Sequence, residues 1–214
     1  VVNEKFLLYT ISMNNMQNIV EYYDELYPSN ESQRNFFMDL LSTYVAPSKF
    51  LRVGCGTGNL ESYLAKNGLD VTGLDTNKEI LESANLRRRF PNMAIHFFQM
   101  STIEMTNFLG KNFYNVIACL NDKLIYIYDE SLMKKFFADC KLLLSKEGTL
   151  VLQLYNYDLY KNETTFKLPN RESIRSKIME TIVKTENNGY VINQYLENSA
   201  EKIIPLLQRQ RVLP

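Results

Sequence analysis

The sequence predicts an α/β protein with a doubly wound, mostly parallel β-sheet, helices before that sheet and a small antiparallel β lobe after it. Between residues 50 and 155, short apolar runs typical of buried strands alternate with runs that have helical spacing. The first strand ends at Val53 and runs into three glycines at alternate positions. From Arg171 onward two segments of alternating polarity flank Asn188-Gly189, which is a pattern typical of a β-hairpin.

Composition limits the class of protein and its partners. The chain has 214 residues, of which 45% are hydrophobic and 22% are charged, so it can bury a substantial core. Its formal net charge is zero, which disfavours binding to nucleic acid through phosphates. Three cysteines without metal or disulfide spacing indicate a reducing compartment, and we expect a cytoplasmic protein with no metal site. No apolar run is long enough to span a bilayer, and the first residue is not Met, so we expect a trimmed or incomplete N-terminus.

Two helices are predicted before the first strand. Apolar residues follow helical spacing over about 15–27, and Pro28 ends that helix. Ser29 or Asn30 can cap a second helix, which closes at Pro47. We expect residues 1–48 to form a helical lid packed on the core.

The glycine turn is followed by a regular alternation of helices and strands. The first helix after it ends at Asn67-Gly68, and a later helix is expected to turn Leu86 inward. The later strands are predicted at 69–75, 94–99, 113–120 and 149–155, with a helix over 130–145 that ends before Gly148. We expect residues 49–157 to form the core domain and residues 158–214 to form the antiparallel lobe.

Chemically useful residues follow the ends of these strands. Right-handed crossovers place the carboxyl ends of parallel strands at one edge of the sheet, where ligands bind in the crevice. Gly54, Asp75, Met100 and the segment from Cys119 to Asp122 all fall at strand ends on that edge. The sequence therefore predicts one binding site there.

The glycine turn reads Gly54-Cys55-Gly56-Thr57-Gly58. Glycine allows positive φ and lets a ligand approach the main chain closely. A helix that begins near Asn59 would point its unpaired N–H groups at such a ligand. Dinucleotide-binding proteins of the NAD type use G-x-G-x-x-G, and here Asn59 stands where they have glycine. The alternative is a tight strand-to-helix turn that binds nothing.

Asp75 ends the second predicted strand. A carboxylate at that place can accept hydrogen bonds from the two hydroxyls of a ribose. The alternative role for Asp75 is to cap the following helix. The number of residues between the glycine turn and Asp75 favours the ribose role.

Other conspicuous side chains have simpler interpretations. His96 lies within a predicted strand without a second ligand nearby, so a structural or surface role is expected. The run 87–89 consists of arginines that end a helix, where the helix dipole favours cations. Cys55 and Cys119 have no histidine partner in a recognisable arrangement, so both are interpreted as small packing residues.

Several segments together resemble class I S-adenosylmethionine (SAM)-dependent methyltransferases that act on small molecules. The first predicted helix and the end of the fourth strand are similar to those of the glycine/sarcosine and amino-sugar N-methyltransferase branch. The resemblance covers roughly residues 20–160, and the segments that carry it are 22–27, 52–58, 74–75, 98–101 and 116–122.

The resemblance implies a Rossmann-like fold with SAM as the cofactor and S-adenosylhomocysteine as its product. The glycine loop would hold the methionine part of SAM, and Asp75 would hold the ribose. The residues after strands three and four would flank the adenine and the methyl group, and the first helix would cover the site. The implied cofactor-binding residues are Tyr22, Val53, Gly54, Cys55, Gly56, Gly58, Asn59, Asp75, Thr76, Met100, Ser101, Cys119 and Leu120. Asn121, Asp122 and Tyr23 would position the acceptor; for Asn121 a turn role, and for Tyr22 and Tyr23 core packing, are the alternatives.

Three departures from the family pattern stand out. The family usually has Asp or Glu two residues before the first glycine, near the amino group of SAM, and this chain has Arg52. The family often has Asp after strand three, bonded to the adenine amino group, and this chain has Ser101. The family continues with a last helix and strand pair past the point where this chain stops, so that part is expected to be missing.

The function expected from these features is methyl transfer from SAM to a small-molecule acceptor, such as an amine. Arg52 and Ser101 leave a second reading open, a SAM-binding protein that has lost turnover. An NAD-dependent oxidoreductase is a third reading, disfavoured by Asn59. We expect no nucleic-acid or membrane partner, and the hairpin lobe would cover either the substrate side or a subunit contact, as in a homodimer.

Overall fold

A computed structural model describes residues 19–88, 90–187, 189–200 and 202–213. These residues divide into two compact units. The sheet unit contains residues 29–124 and 129–154, and the hairpin unit contains the described residues up to Pro28, residues 125–128 and the residues from Tyr155 onward. The domain boundaries expected from the sequence, after residues 48 and 157, stay a prediction.

The sheet unit is built on a five-stranded parallel sheet. Its strands lie in the order β3-β2-β1-β4-β5, so the chain winds outward in both directions from β1. This confirms the predicted doubly wound fold. The strands are β1 (Lys49–Val53), β2 (Asp70–Asp75), β3 (Ile95–Gln99), β4 (Tyr114–Cys119) and β5 (Leu144–Leu152).

Helices connect and cover these strands. The helix before β1 begins after Asn30, whose side-chain oxygen accepts a hydrogen bond from Gln33 N at 2.8 Å, as its predicted capping role requires. In chain order the helices are α1 (Tyr23–Leu26, in the hairpin unit), α2 (Glu31–Ser42), α3 (Asn59–Lys66), α4 (Lys78–Arg88), α5 (Met105–Phe108) and α6 (Glu130–Leu143). The predicted first helix starts at about residue 15, and its beginning lies outside the described residues.

The strand register puts small residues beside the end of β1. Arg52 pairs with Gly73 of β2 on one side and with Ala118 of β4 on the other. Val53 pairs with Leu74 and Cys119, so the ends of three neighbouring strands lie side by side. The predicted edge of converging strand ends is therefore present in this unit.

Three expectations about the elements of the sheet unit were wrong. The fifth strand begins at Leu144 instead of residue 149, because a register shift after Tyr114 absorbs the segment around Gly148 into the strand. Leu86 is 85% exposed, because it lies on the outer face of α4. A 3₁₀ turn (Thr102–Glu104) and the short α5 connect β3 to β4, where no helix was predicted.

The hairpin unit contains an antiparallel sheet in the order β10-β9-β8-β6, with β7 also paired to β8. Its strands are β6 (Thr165–Lys167), β7 (Arg171–Glu172), β8 (Ser176–Lys184), β9 (Tyr190–Asn198) and β10 (Ile203–Val212). The predicted antiparallel lobe is thus confirmed, but its hairpin turn is longer than expected. Lys184 and Tyr190 are the last paired residues, and Thr185 N donates to Gly189 O at 2.8 Å to close the loop.

Within the described part of the chain, no helix combines the length and the apolar character needed to cross a bilayer.

Candidate functional site

The glycine bend after β1 has the backbone conformation that its sequence predicts. Gly54, Gly56 and Gly58 have φ angles of 72°, 60° and 74°, which residues with a side chain adopt only under strain. The N–H groups of Gly54 and Cys55 both donate to Leu74 O at 2.8 Å. The bend is therefore fixed to the end of β2, close to Asp75.

Phe97 packs against the inner side of this bend. A Cβ atom added at Gly58 would lie 2.3 Å from the Phe97 ring, and one added at Gly73 would lie 2.7 Å from it. Phe97 is 8% exposed and belongs to the core of the sheet unit. Glycine at 58 is thus required both by the positive φ and by the ring that fills the space beside it.

Lys123 lies beside the first glycine of the bend. A Cβ atom added at Gly54 would lie 2.9 Å from Lys123 Cγ and 3.2 Å from Lys123 Cβ. The aliphatic part of this side chain therefore packs on the bend. Burial raises the pKa of the Cys119 thiol, and the nearby Lys123 charge opposes that rise in part. Sequence reasoning missed Lys123, although its place directly after the predicted strand-end segment could have indicated it.

The carboxylate of Asp75 is turned toward the glycine bend. Gly56 N donates to Asp75 Oδ2 at 3.0 Å, and Asn77 N donates to Asp75 Oδ1 at 3.0 Å. The cap of α4 is instead made by Asn77, whose Oδ1 accepts from Ile80 N at 2.8 Å. Asp75 is only half-buried, and each of its oxygens can accept a further hydrogen bond.

The residues after β3 belong to the same edge of the sheet. Met100 N donates to Asp75 O at 3.0 Å, which places Met100 beside the end of β2. Ser101 N donates to the Glu104 carboxylate at 2.9 Å and begins the 3₁₀ turn. Thr76 O accepts from the Gln99 side chain at 3.2 Å. The side chains of Met100 and Ser101 are half-buried, and that of Thr76 is exposed.

A strained turn follows β4. Asn121 and Asp122 both have a φ of 56°, an uncommon conformation for residues with side chains. Gln153 holds this turn, because its side-chain oxygen accepts from Asn121 N at 3.2 Å and its backbone oxygen accepts from Asp122 N at 3.2 Å. Asp122 is buried and Asn121 is half-buried. Strain of this kind is concentrated at functional sites in proteins, which supports both residues as site candidates.

The cysteines at the site are poor nucleophiles. Burial raises the pKa of the Cys119 thiol to about 11 and raises that of Cys55 well above its usual range. Both thiols are therefore protonated at neutral pH. This agrees with their interpretation as packing residues.

Arg52 forms a buried ion pair with Glu61 of α3. Arg52 Nη1 lies 3.4 Å from Glu61 Oε1, and the two side chains are 5% and 1% exposed. Burial raises the pKa of the Glu61 carboxyl, while the Arg52 charge opposes that shift. Sequence reasoning noted Arg52 but missed Glu61, although a buried arginine on a strand requires an acidic partner nearby.

Tyr22 and Tyr23 belong to the hairpin unit. Tyr23 is 5% exposed, and its ring stacks on Tyr27 with 4.7 Å between centroids. The guanidinium of Arg175 lies over the ring of Tyr22 at 5.1 Å. These are packing contacts within the hairpin unit, while the covering role of the first helix and its packing on the sheet both stay predictions.

The hairpin unit also has a cavity of about 640 Å³ beside the hairpin loop. Tyr128, Arg209 and Arg211 contribute to its lining, and the Arg211 guanidinium lies 5.6 Å from the centre of the Tyr128 ring. None of the residues that line it was expected to bind a ligand.

The sheet unit thus contains all the candidate residues except Tyr22 and Tyr23. Direct hydrogen bonds connect the glycine bend, Asp75 and Met100, while Gln153 fixes the Asn121-Asp122 turn. Phe97, Lys123 and Glu61 complete the surroundings of the bend and were not foreseen.

Comparison with known proteins points to one family. Residues 50–148 match the family model described as "Methyltransferase domain". A provisionally named methyltransferase of Geobacillus sp. (strain WCH70) is 31% identical over 119 residues, which is 56% of this chain and 46% of that protein. A glycine/sarcosine N-methyltransferase of Aphanothece halophytica is 26% identical over 151 residues, 69% of this chain and 56% of that protein.

Among solved structures, the CcbJ methyltransferase from Streptomyces caelestis has the same fold. It superposes with a TM-score of 0.70 at 18% identity, over 88% of this chain and 76% of that chain. The chain spans about half the length of the curated relatives it matches. Residues 50–148, which carry the glycine bend and most of the 3-2-1-4-5 sheet, therefore match the methyltransferase domain family, and the fold is that of class I SAM-dependent methyltransferases.

Proposed function

We propose that this chain transfers a methyl group from SAM to a small-molecule acceptor, with an amine as the favoured acceptor class. One observation carries the proposal most directly. The glycine bend and the Asp75 carboxylate meet at a hydrogen bond of 3.0 Å between Gly56 N and Asp75 Oδ2, at the edge of the sheet where doubly wound folds bind ligands.

The chemistry of these groups fits an adenosyl cofactor. Asp75 retains lone pairs that can accept hydrogen bonds from two ribose hydroxyls. The bend carries no side chains at Gly54, Gly56 and Gly58, which leaves its backbone accessible to the methionine part of the cofactor. In this proposal Val53, Cys55 and Asn59 complete the contacts around the bend, and Thr76, Met100, Ser101, Cys119 and Leu120 flank the adenosine.

The residues of the site support methyl transfer by positioning. When bound, SAM supplies an electrophilic methyl group on a sulfonium. A neutral nucleophile must then be held in line with that methyl group, in a site that excludes water. In the proposal the strained Asn121-Asp122 turn orients the acceptor, with Asp122 able to accept a proton or a hydrogen bond from it. We also propose that Tyr22 contacts the cofactor and that Tyr23 positions the acceptor, both from the first helix.

An amine acceptor has two supports. The glycine/sarcosine N-methyltransferase that the chain resembles carries an amine acceptor in its name. A carboxylate such as Asp122 suits an amine, because it can hydrogen-bond the N–H groups and take up the proton released after transfer.

Methyl transfer can be tested with SAM that carries a labelled methyl group. The chain is incubated with a panel of primary and secondary amines, carboxylates and phenols, and labelled products and S-adenosylhomocysteine are measured together. The proposal predicts a labelled amine formed in equal amount to S-adenosylhomocysteine. The Asp122→Asn variant should reduce turnover by about tenfold to a hundredfold, while leaving the affinity for S-adenosylhomocysteine within about twofold.

Two other outcomes would redirect the assignment. SAM binding without transfer to any member of the panel would favour a binding protein that has lost turnover. Labelled phenols or carboxylates without labelled amines would support methyl transfer but show that the acceptor is not an amine.

A further inference from the structure

Arg52 places a permanent positive charge in the interior, close to the glycine bend. It is 4% exposed and lies on β1, two residues before Gly54. Gly73 and Ala118 are its register partners on the neighbouring strands. A buried cation here would repel a ligand that brings a sulfonium and an ammonium to the bend.

Glu61 is the group that offsets this charge. It lies in the first turn of α3, directly after the bend, and is 0% exposed. Its Oε1 is 3.4 Å from Arg52 Nη1. Among the described residues, neither Glu61 Oε2 nor Arg52 Nε has a hydrogen-bond partner. The pair therefore shares one long hydrogen bond and lacks the full set of hydrogen bonds that a structural ion pair usually has.

The charges of the pair act on the bend itself. Cys55 lies between the first two glycines, and Glu61 and Asp75 both raise the pKa of its thiol while Arg52 lowers it. With Glu61 in place, the charges of Arg52 and Glu61 offset each other, and Asp75 supplies a negative charge that is hydrogen-bonded to the bend. Without Glu61, Arg52 would cancel Asp75 instead, and the bend would lose its preference for a cation.

We propose that Glu61 is a positioning residue that makes the glycine bend selective for a positively charged methyl donor, by cancelling the buried charge of Arg52. This inference rests on the proposed function, because it concerns the same cofactor. In this proposal Glu61 on α3 offsets the positive charge that Arg52 introduces on β1. It also explains how the chain tolerates arginine at that position.

Three ligands that share the adenosine group and differ in charge can test this role. SAM carries a net charge of about +1, S-adenosylhomocysteine is a zwitterion with no net charge, and 5′-methylthioadenosine lacks the amino-acid group altogether. Their affinities are measured by calorimetry for the wild type, Glu61→Gln, Arg52→Gln and the double variant Arg52→Gln/Glu61→Gln. Thermal melting checks the folding of each variant.

A role in charge balance predicts a graded result. Glu61→Gln should lower the affinity for SAM by about tenfold or more and the affinity for S-adenosylhomocysteine by about threefold. The affinity for 5′-methylthioadenosine should fall by less than about twofold. Arg52→Gln should keep the wild-type preference for SAM over 5′-methylthioadenosine, or increase it. The double variant should keep that preference within about threefold, because it removes both charges together.

The outcomes separate this inference from the proposed function. Equal loss of all three ligands in Glu61→Gln would make Glu61 a packing residue and overturn the inference alone. If Glu61→Gln does not fold, the double variant decides. A folded double variant that no longer prefers SAM over 5′-methylthioadenosine would also overturn the inference. A wild type that binds none of the three ligands would overturn the proposed function, and the inference with it.

Discussion

Asp75 has the most specific proposed contact at the scale of single residues. Replacing it with alanine removes the carboxylate that would accept the ribose hydroxyls, and we expect the affinity for S-adenosylhomocysteine to fall by about tenfold to a hundredfold. Asp70→Ala is a matched control, because Asp70 begins the same strand and forms a partly exposed ion pair with Lys49 at 3.3 Å. Calorimetry on both variants measures the difference. Equal affinities would show that Asp75 does not contact the cofactor.

Gly58 tests whether the bend needs the shape that the structure gives it. An alanine at 58 would combine a φ of 74° with a Cβ 2.3 Å from the Phe97 ring. Gly68 also has a positive φ, of 85°, but has no atom within 4 Å of the added Cβ. Gly68→Ala should therefore cost about 1 kcal/mol of the free energy of unfolding, and Gly58→Ala about 1–3 kcal/mol more.

Urea unfolding of the two glycine variants provides the measurement. If both variants lost the same stability, the Phe97 ring would have moved aside, and the close packing at Gly58 would not be a constraint on the sequence.

At the scale of elements, α2 is held to the sheet by one face. Phe37 is 1% exposed and its ring packs edge to face on Phe50 of β1, with 5.2 Å between centroids. Phe36, its neighbour, is 51% exposed. Phe37→Ala should lower the free energy of unfolding by about 3–5 kcal/mol, and Phe36→Ala by less than about 1 kcal/mol. Comparable losses in chemical denaturation would contradict the assigned inner face of α2.

The short helix α1 depends on contacts outside itself, because four residues cannot form a stable helix alone. Arg175 donates to Glu25 through Nε at 3.0 Å and also through a second guanidinium nitrogen, and to Glu21 at 3.1 Å. The hydrogen bond from Arg175 lowers the pKa of Glu25. This contact should therefore stabilise the unit above the usual pKa of glutamate and be lost as pH falls through the lowered value.

Carboxyl titration of Glu25 by NMR tests this contact. Arg175→Gln should return the pKa of Glu25 to its usual range. Lys177→Gln is the control, because Lys177 pairs with Glu172 at 3.3 Å and should leave Glu25 unchanged. A Glu25 pKa that is the same in all three proteins would show that Arg175 does not hold α1.

The sequence predicted elements well where local signals were strong. Apolar runs bounded by glycine or proline gave β1 to β4 to within about two residues, and Asn30 marked the start of α2. The early start of β5 was missed, because the pairing of Leu144 with Tyr114 depends on a bulge that no local pattern announces. Leu86 was misplaced because helical spacing does not say which apolar residue faces outward when the stripe is wide.

For the whole molecule, the candidate site was predictable only in part. The glycines and Asp75 were found from motif and spacing, because backbone conformation at a strand end is encoded locally. Phe97 and Lys123 come from other segments, and only packing brings them to the bend, whereas Glu61 follows the bend directly and its contact with Arg52 is what the sequence did not show. The Arg52–Glu61 pair shows this most clearly, since the arginine seemed a departure from the family pattern until its acidic partner was located.

The proposed function depends on the glycine bend and Asp75 binding the adenosyl methyl donor. Calorimetric titration of the wild-type chain with S-adenosylhomocysteine measures this binding. We expect saturable heat with one ligand bound per chain. No heat of binding at millimolar ligand, from a protein shown to be folded by its thermal melt, would contradict it.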